Sequence, residues 1–164
     1  MKKFICMLLV LSMAFALCAC DGDTNDDNDK TINSISKLLN IVMTEKCLIE
    51  SNESENGFVT VKIEDEKTDS EIKTEWNELP LTENLTALIY GIESDTSSVG
   101  PYIKKDDVPL FPEIENGYYY FIDQHRESTN SKDDTEIFDR NSFNLVIAIY
   151  DTDTNRLYYC QFDT

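Results

Sequence analysis

Alternating hydrophobic and polar positions are the clearest feature of the chain, and they predict strands. Residues 58–64 place Val59, Val61 and Ile63 on one face and polar side chains on the other, which is typical of a half-buried strand. Residues 143–150 are hydrophobic on both faces apart from a single asparagine, which predicts a central strand covered on both sides. These two segments indicate a sheet with a hydrophobic core.

Shorter segments extend the predicted sheet. Strands are expected over residues 47–50, 118–123 and 157–162, and an edge strand is expected over residues 72–76. The polar residues 151–156 connect two of the strands and predict a hairpin turn. Because strands joined by a short turn run in opposite directions, we expect the sheet to be antiparallel.

Two segments carry the three- and four-residue spacing of an amphipathic helix. The first helix is expected to begin near Ile32, with Asn33 or Ser34 as its cap, and to end near Glu45; the second follows Thr82, a residue suited to the cap position. The hydrophobic stripes consist of Ile32, Ile35, Leu38, Leu39, Val42 and Met43 in the first helix, and of Leu85, Leu88, Ile89 and Ile92 in the second.

Two further segments have no periodic pattern. Residues 93–116 contain Gly100 and three prolines and predict a long loop, which is uncommon in a compact domain and suits a binding segment. Residues 127–141 are polar and are expected to be mobile. The elements together predict an α+β fold, in which one or two helices pack on an antiparallel sheet.

A basic and then hydrophobic segment opens the chain. Lys2 and Lys3 precede sixteen residues, 4–19, among which Ser12 is the one conventional polar residue, and an acidic segment begins at Asp21. Sixteen residues fall short of the ~20 that a membrane-spanning helix needs. The order of basic head, short hydrophobic middle and small residues is typical of a secretory signal.

The end of this segment resembles the lipobox of bacterial lipoprotein precursors. Leu17, Ala19 and Cys20 match that motif, and Cys18 stands where alanine or serine is commoner. The resemblance implies that residues 1–19 are removed and that Cys20 carries a diacylglycerol, which holds the protein on the extracytoplasmic face of the cell membrane. An uncleaved single-span anchor and a freely secreted protein are the alternatives.

Processing at this point divides the chain into three parts. Residues 1–19 are the signal peptide, residues 20–31 are the lipidated cysteine and an acidic tether, and residues 32–164 are a single globular domain. The tether contains five aspartates and no hydrophobic residue, so we expect it to be disordered and to act as a spacer. The 145 residues that remain after cleavage can bury a core of their own.

The charge of the protein is strongly negative. It is −18 for the whole chain, and it becomes −20 when residues 1–19 are removed with their two lysines. This charge argues against nucleic acid as a partner and against adhesion of the domain to anionic lipid headgroups. It favours solubility, or else a cationic partner such as a basic protein, a basic peptide or Ca²⁺.

Metal and redox chemistry have few candidate residues. The two DxDxN segments lack the glycine and the final glutamate of an EF-hand loop, so we expect a tether and a hairpin there and no metal site. These segments are Asp21, Asp23 and Asn25, and Asp151, Asp153 and Asn155. After processing, Cys47 and Cys160 remain and form either a disulfide or two buried thiols.

Catalytic motifs are also few. His125 is the only histidine, so any Ser–His or Cys–His pair must use it, and multi-histidine zinc sites are excluded. The sequence contains neither a GxSxG nucleophile motif nor a glycine-rich phosphate loop, and it indicates no cofactor. With 32 acidic residues, a pair of carboxylates suited to a hydrolase stays open.

Aromatic residues are the remaining candidates for binding. Tyr118 and Tyr120 share one face of a predicted strand, and Tyr119 and Phe121 share the other. An uncovered face would offer tyrosines to a sugar or a peptide, whereas a covered face would use them for cross-strand packing. Trp76 is expected to be a core residue.

The sequence therefore favours a non-catalytic envelope lipoprotein that binds or inhibits a cationic or envelope partner. The candidate contact residues are Tyr102, Tyr118, Tyr120 and His125. The alternatives are a small carboxylate-dependent hydrolase that acts on envelope polymers, and a subunit that scaffolds an envelope complex.

Overall fold

The computed structural model of the protein describes residues 24–53 and 57–164, which fold into three helices and ten strands. The helices are α1 (Thr24–Leu39), α2 (Glu66–Glu75) and α3 (Glu83–Tyr90). The strands are β1 (Cys47–Glu53), β2 (Phe58–Ile63), β3 (Asn77–Glu78), β4 (Ile92–Glu93), β5 (Ser98–Val99), β6 (Lys104–Lys105), β7 (Val108–Pro109), β8 (Gly117–Asp123), β9 (Asn144–Asp151) and β10 (Arg156–Asp163). The predicted α+β class is confirmed.

The β9–β10 hairpin forms the middle of a six-stranded antiparallel sheet. The strand order is β1-β2-β10-β9-β8-β3, and two small two-stranded sheets pair β4 with β5 and β6 with β7. The side chains from Val146 to Tyr150 are fully buried, because helices and loops cover both faces of β9. The prediction of a central strand over 143–150, and of a hairpin over 151–156, is confirmed.

Each face of the sheet has its own hydrophobic core. On one face, residues of α1 and α2 such as Ile35 and Ile72 pack on Val61 and Leu157. On the other face, α3 and the segments between residues 100 and 143 pack on the alternate residues of the same strands. The side chains of neighbouring residues therefore enter different cores.

The first helix differs from its prediction at both ends. It begins at Thr24, so the expectation of a disordered tether is wrong for residues 24–31. The early turns are polar, but acidic residues suit the positive end of the helix dipole, and the Thr31 hydroxyl donates to the Asp27 carbonyl at 2.9 Å. The helix ends before Asn40, which adopts a left-handed backbone with φ of 53°, so Val42 and Met43 lie beyond it.

No helix was expected where α2 lies, and an edge strand was expected over residues 72–76. Residues 72–76 instead form the last turn of α2 and its C-terminal cap. The helix begins after Asp65, which caps it by accepting the Thr68 backbone N–H at 3.1 Å. Thr68 and Ile72, one turn apart, are fully buried. Trp76 is buried as expected.

Two further predictions hold in part. Thr82 caps α3 by accepting the Leu85 backbone N–H at 3.1 Å, but Ile92 falls outside that helix, in β4. Strand β2 is present, yet it is covered on both faces and not on one, since Phe58 and Thr60 are buried opposite Val59.

The predicted signal peptide and the lipidation site Cys20 lie outside the described residues. Within residues 24–53 and 57–164, no helix combines the length and the hydrophobicity needed to cross a bilayer.

Candidate functional site

Four aromatic rings contact one another at one end of the sheet, where β10 ends and β9 begins. Tyr102 lies 5.1 Å from Phe143 and 5.8 Å from Phe138, between ring centroids, and Phe143 lies 5.6 Å from Phe162. Phe138 and Phe143 meet edge to face at 6.3 Å. We call Tyr102, Phe138, Phe143 and Phe162 the aromatic end.

Tyr102 reaches this position because its loop is fixed to α3. The Tyr102 backbone N–H donates to the Leu88 carbonyl at 2.9 Å, and the next residue, Ile103, is buried in the core. Gly100 has φ of 74°, and a Cβ there would lie 2.0 Å from the Ala87 carbonyl oxygen, so only glycine permits this close approach. The segment predicted as a binding loop is thus held at a defined place.

Phe138 belongs to the polar segment 127–141, which packs on the domain around one buried residue. Ile137 is 1% exposed and lies in the same core as α3. The Asn84 side-chain amide donates to the Asp134 carbonyl at 2.9 Å, and the Thr82 hydroxyl bonds the Asp134 carboxylate. These contacts fix the segment against the start of α3.

The aromatic end combines an exposed ring with carboxylates. Tyr102 is 41% exposed, and Phe138 and Phe162 are half-buried. Asp139 and Asp163 follow two of the rings directly in the sequence, and both are exposed. Among the described residues, no lysine or arginine lies within ion-pair distance of these two carboxylates. This surface can therefore attract a positive charge.

Two basic side chains that are close to these rings in the sequence pair with carboxylates. Lys104 pairs with Asp107 at 2.9 Å. The Arg140 Nη2 atom lies 2.5 Å from the Asp123 carboxylate, and the two side chains are 10% and 3% exposed. The Lys104 amine holds the pKa of Asp107 below its usual range. Neither cation offers its charge to an external anion.

His125 lies beside the aromatic end but is not arranged as a catalytic base. Its Nδ1 atom accepts the Glu127 backbone N–H at 3.3 Å, so in the neutral ring the proton is on Nε2 and points at the Ser142 hydroxyl, 3.1 Å away. A base that activates serine needs the opposite tautomer. The Asp123 carboxylate accepts the His125 backbone N–H at 3.1 Å and does not orient the ring.

The structure separates the four candidate contact residues into two groups. Tyr102 and His125 lie at the same end of the sheet, since Ser142, which contacts His125, precedes Phe143, which contacts Tyr102. Tyr118 and Tyr120 lie against the core that α1 and α2 cover, and both are half-buried. The alternative of cross-strand and helix packing therefore applies to these two tyrosines.

The tyrosines of the sheet have the surroundings of residues packed within the protein. The Tyr120 ring lies 5.4 Å from the Trp76 ring, and burial raises its pKa. Burial, and then the nearby Asp134 carboxylate, raise the pKa of Tyr119 on the opposite face. Tyr150 is fully buried and donates to the Asp69 carboxylate at 2.8 Å, and burial is the main cause of its raised pKa.

The two cysteines are not bonded to each other. Cys47 pairs with Ile63 and faces one core, whereas Cys160 pairs with Phe58 and faces the other, so the sheet separates them. Both are buried, which raises the pKa of Cys47 and raises that of Cys160 to about 12. The disulfide alternative is wrong in this structure, and the buried-thiol alternative describes both residues.

The side-chain oxygens of the hairpin between β9 and β10 accept hydrogen bonds from the protein itself. The Asp151 carboxylate accepts the Asp153 backbone N–H at 2.9 Å and the Thr154 hydroxyl at 2.6 Å, and Asn155 accepts the Tyr150 hydroxyl at 3.1 Å. In the part of the chain that the structure describes, no three His, Cys, Asp or Glu side chains are grouped to hold a metal ion. The carboxylates here stabilise the turn.

The partners of Tyr102 were not found from the sequence. Phe138 and Phe143 contact Tyr102, and Phe162 contacts Phe143; only Phe143 and Phe162 lay in predicted strands. Aromatic residues stand at the ends of the predicted strands, but the sequence does not show that these strand ends lie together.

The chain matches no protein-family model, no curated protein and no solved structure.

Proposed function

We propose that this protein is a non-catalytic binding module, attached by a lipid on Cys20 to the extracytoplasmic face of a bacterial cell membrane, and that its partner is cationic. The lipobox-like residues before Cys20 support the anchor. The charge of −20 after processing, and the way the charges are arranged, support the cationic partner.

The arrangement of ion pairs is the observation that carries the binding proposal. At least seven of the twelve lysines and arginines in the described residues pair with a carboxylate. An eighth, Lys62, donates to the Thr154 carbonyl at 2.5 Å. Within the described residues, most of the positive charge is therefore paired within the molecule, whereas most of the acidic side chains are exposed to solvent or a partner.

Such a surface attracts a basic protein by long-range electrostatics. The attraction raises the association rate, and it falls as salt shortens the Debye length from about 10 Å at 0.1 M to about 3 Å at 1 M. Adhesion to anionic lipid is disfavoured by the same charge. The lipid on Cys20, and not the protein surface, supplies the membrane attachment in this proposal.

Capture from an envelope extract tests the binding proposal. The full lipidated protein, immobilised in detergent, should retain basic envelope proteins at low salt and release them as the salt concentration rises. Retention of neutral or acidic proteins that resist salt would contradict the proposal. Cleavage of an envelope polymer that is lost when one Asp or Glu is changed would support the hydrolase instead.

Fractionation of cells tests the anchor. Cys20→Ser should move the protein from the membrane to the soluble fraction, because the thioether needs the sulfur of Cys20. Cys18→Ser is the matched control, since serine is common at that lipobox position, and this variant should stay in the membrane. A Cys20→Ser variant that still partitions into detergent, or native Cys20 without lipid by mass spectrometry, would overturn the anchor.

A further inference from the structure

We infer that the aromatic end is the contact surface for the cationic partner, and that the partner places an arginine or lysine side chain against the exposed Tyr102 side chain. This inference rests on the proposed function, because it assumes that the partner is cationic. It adds the location of the contact and the chemical group that is recognised.

Tyr102 differs from the other exposed hydrophobic residues. Among the described residues, the large hydrophobic side chains that are clearly exposed are Val42, Leu48, Tyr102 and Val108. Three of these are aliphatic, so Tyr102 alone presents an aromatic ring. The face of such a ring attracts a cation through its quadrupole, which an aliphatic side chain cannot do.

The ring is held in place before any partner arrives. Tyr102 contacts Phe143 and Phe138, and its backbone bonds to α3 through the Leu88 carbonyl. A side chain that is already ordered loses little conformational entropy on binding. The aromatic end therefore has the rigidity expected of a recognition surface.

The charges around the ring select the sign of the ligand. Asp139 directly follows Phe138 and is exposed, whereas Asp163 alternates with Phe162 in β10 and points to the other face of the sheet. Lys104 and Arg140 pair with Asp107 and Asp123. A guanidinium or an ammonium group over the Tyr102 ring would also be attracted by the negative charge of the domain, and the two attractions together are stronger than either alone.

Three short peptides test this inference with the full protein in detergent. Hexa-arginine and hexa-lysine carry the proposed groups, and hexa-citrulline has nearly the shape of hexa-arginine without its charge. Titration calorimetry should show binding of the first two peptides and at least tenfold weaker binding of the third. Equal binding of hexa-citrulline would show a neutral contact and would overturn the inference.

Variants of the ring locate the contact. Tyr102→Phe keeps the aromatic face and should bind hexa-arginine within about twofold of the original protein, whereas Tyr102→Leu should bind roughly three- to tenfold more weakly. Val108→Ser is the matched control, because Val108 is 63% exposed in the same loop region, and it should leave binding unchanged. Binding by Tyr102→Leu at the original strength would overturn the inference.

Charge variants separate local from overall attraction. Asp139→Asn should weaken binding more than Asp153→Asn, since Asp153 is exposed in the hairpin at the opposite end of the central strands. Equal effects of the two would show general attraction without the aromatic end, and would leave the proposed function standing. If none of the charged peptides binds and the extract yields no basic protein, the proposed function itself fails.

Discussion

At the scale of single residues, the buried ion pair between Arg140 and Asp123 is expected to have a large effect on stability. The two side chains are 10% and 3% exposed and lie 2.5 Å apart. The Asp123 carboxylate also accepts the His125 backbone N–H, so it organises the turn that follows β8. Removing only the cation would leave this carboxylate buried without its counter-charge.

We therefore predict that Arg140→Ala lowers the free energy of unfolding by about 3–5 kcal/mol, measured by urea denaturation. Arg126→Ala is the control, because the Arg126 side chain is 89% exposed and lies 3.9 Å from Glu127, and its loss should cost under about 0.5 kcal/mol. Replacing both members of the buried pair by hydrophobic residues should cost less than Arg140→Ala alone. Equal midpoints for the two single variants would contradict this prediction.

At the scale of elements, the position of a strand within the sheet determines how it tolerates a charge. Ile147 is fully buried in β9 at the centre, whereas Leu48 is 50% exposed in the edge strand β1 and pairs with Lys62. Ile147→Asp would bury an unpaired charge, which costs several kcal/mol out of the roughly 5–15 kcal/mol that stabilise a domain.

We predict that Ile147→Asp fails to fold, as seen by loss of the cooperative thermal transition in circular dichroism. Leu48→Asp should unfold within a few degrees of the original protein, because the new carboxylate is solvated and faces a lysine. A cooperative transition for Ile147→Asp near that of the original protein would show that β9 is not the central strand.

The same elements show how much of the fold the sequence could predict. Strands β8, β9 and β10 and helix α3 were predictable because hydrophobic spacing, the Thr82 cap and turn residues agreed at each place. Helix α1 was misjudged because its first two turns are polar and because the stripe continues past its end at Leu39. Helix α2 was missed because it buries only Thr68 and Ile72, too few residues to show a helical period.

The candidate site was less predictable than the fold. Tyr102 was singled out in an aperiodic loop, but its contacts with Phe138 and Phe143 join segments about forty residues apart in the chain. Local patterns carry no information about which strand ends meet. Whether Tyr118 and Tyr120 would be covered likewise depended on α2, a helix that was not predicted from the sequence.

At the scale of the whole molecule, the excess of negative charge destabilises the folded domain, although it favours binding of a cationic partner. Exposed carboxylates repel one another more strongly in the folded domain than in the expanded unfolded chain. Glu66 and Glu75 on α2 are examples of such exposed carboxylates. Screening by salt weakens this repulsion, whereas the buried Asp123–Arg140 pair is screened much less.

We therefore predict that added salt stabilises the protein while it weakens partner binding. Each exposed interaction is worth a few tenths of a kcal/mol, so several together should raise the free energy of unfolding by on the order of 1 kcal/mol between 20 mM and 500 mM NaCl, compared by urea denaturation. Asp153→Asn and Glu75→Gln, which each remove one exposed charge, should each reduce the response to salt. A protein that loses stability as salt is added would show that its ion pairs, and not the uncompensated carboxylates, dominate its electrostatic free energy.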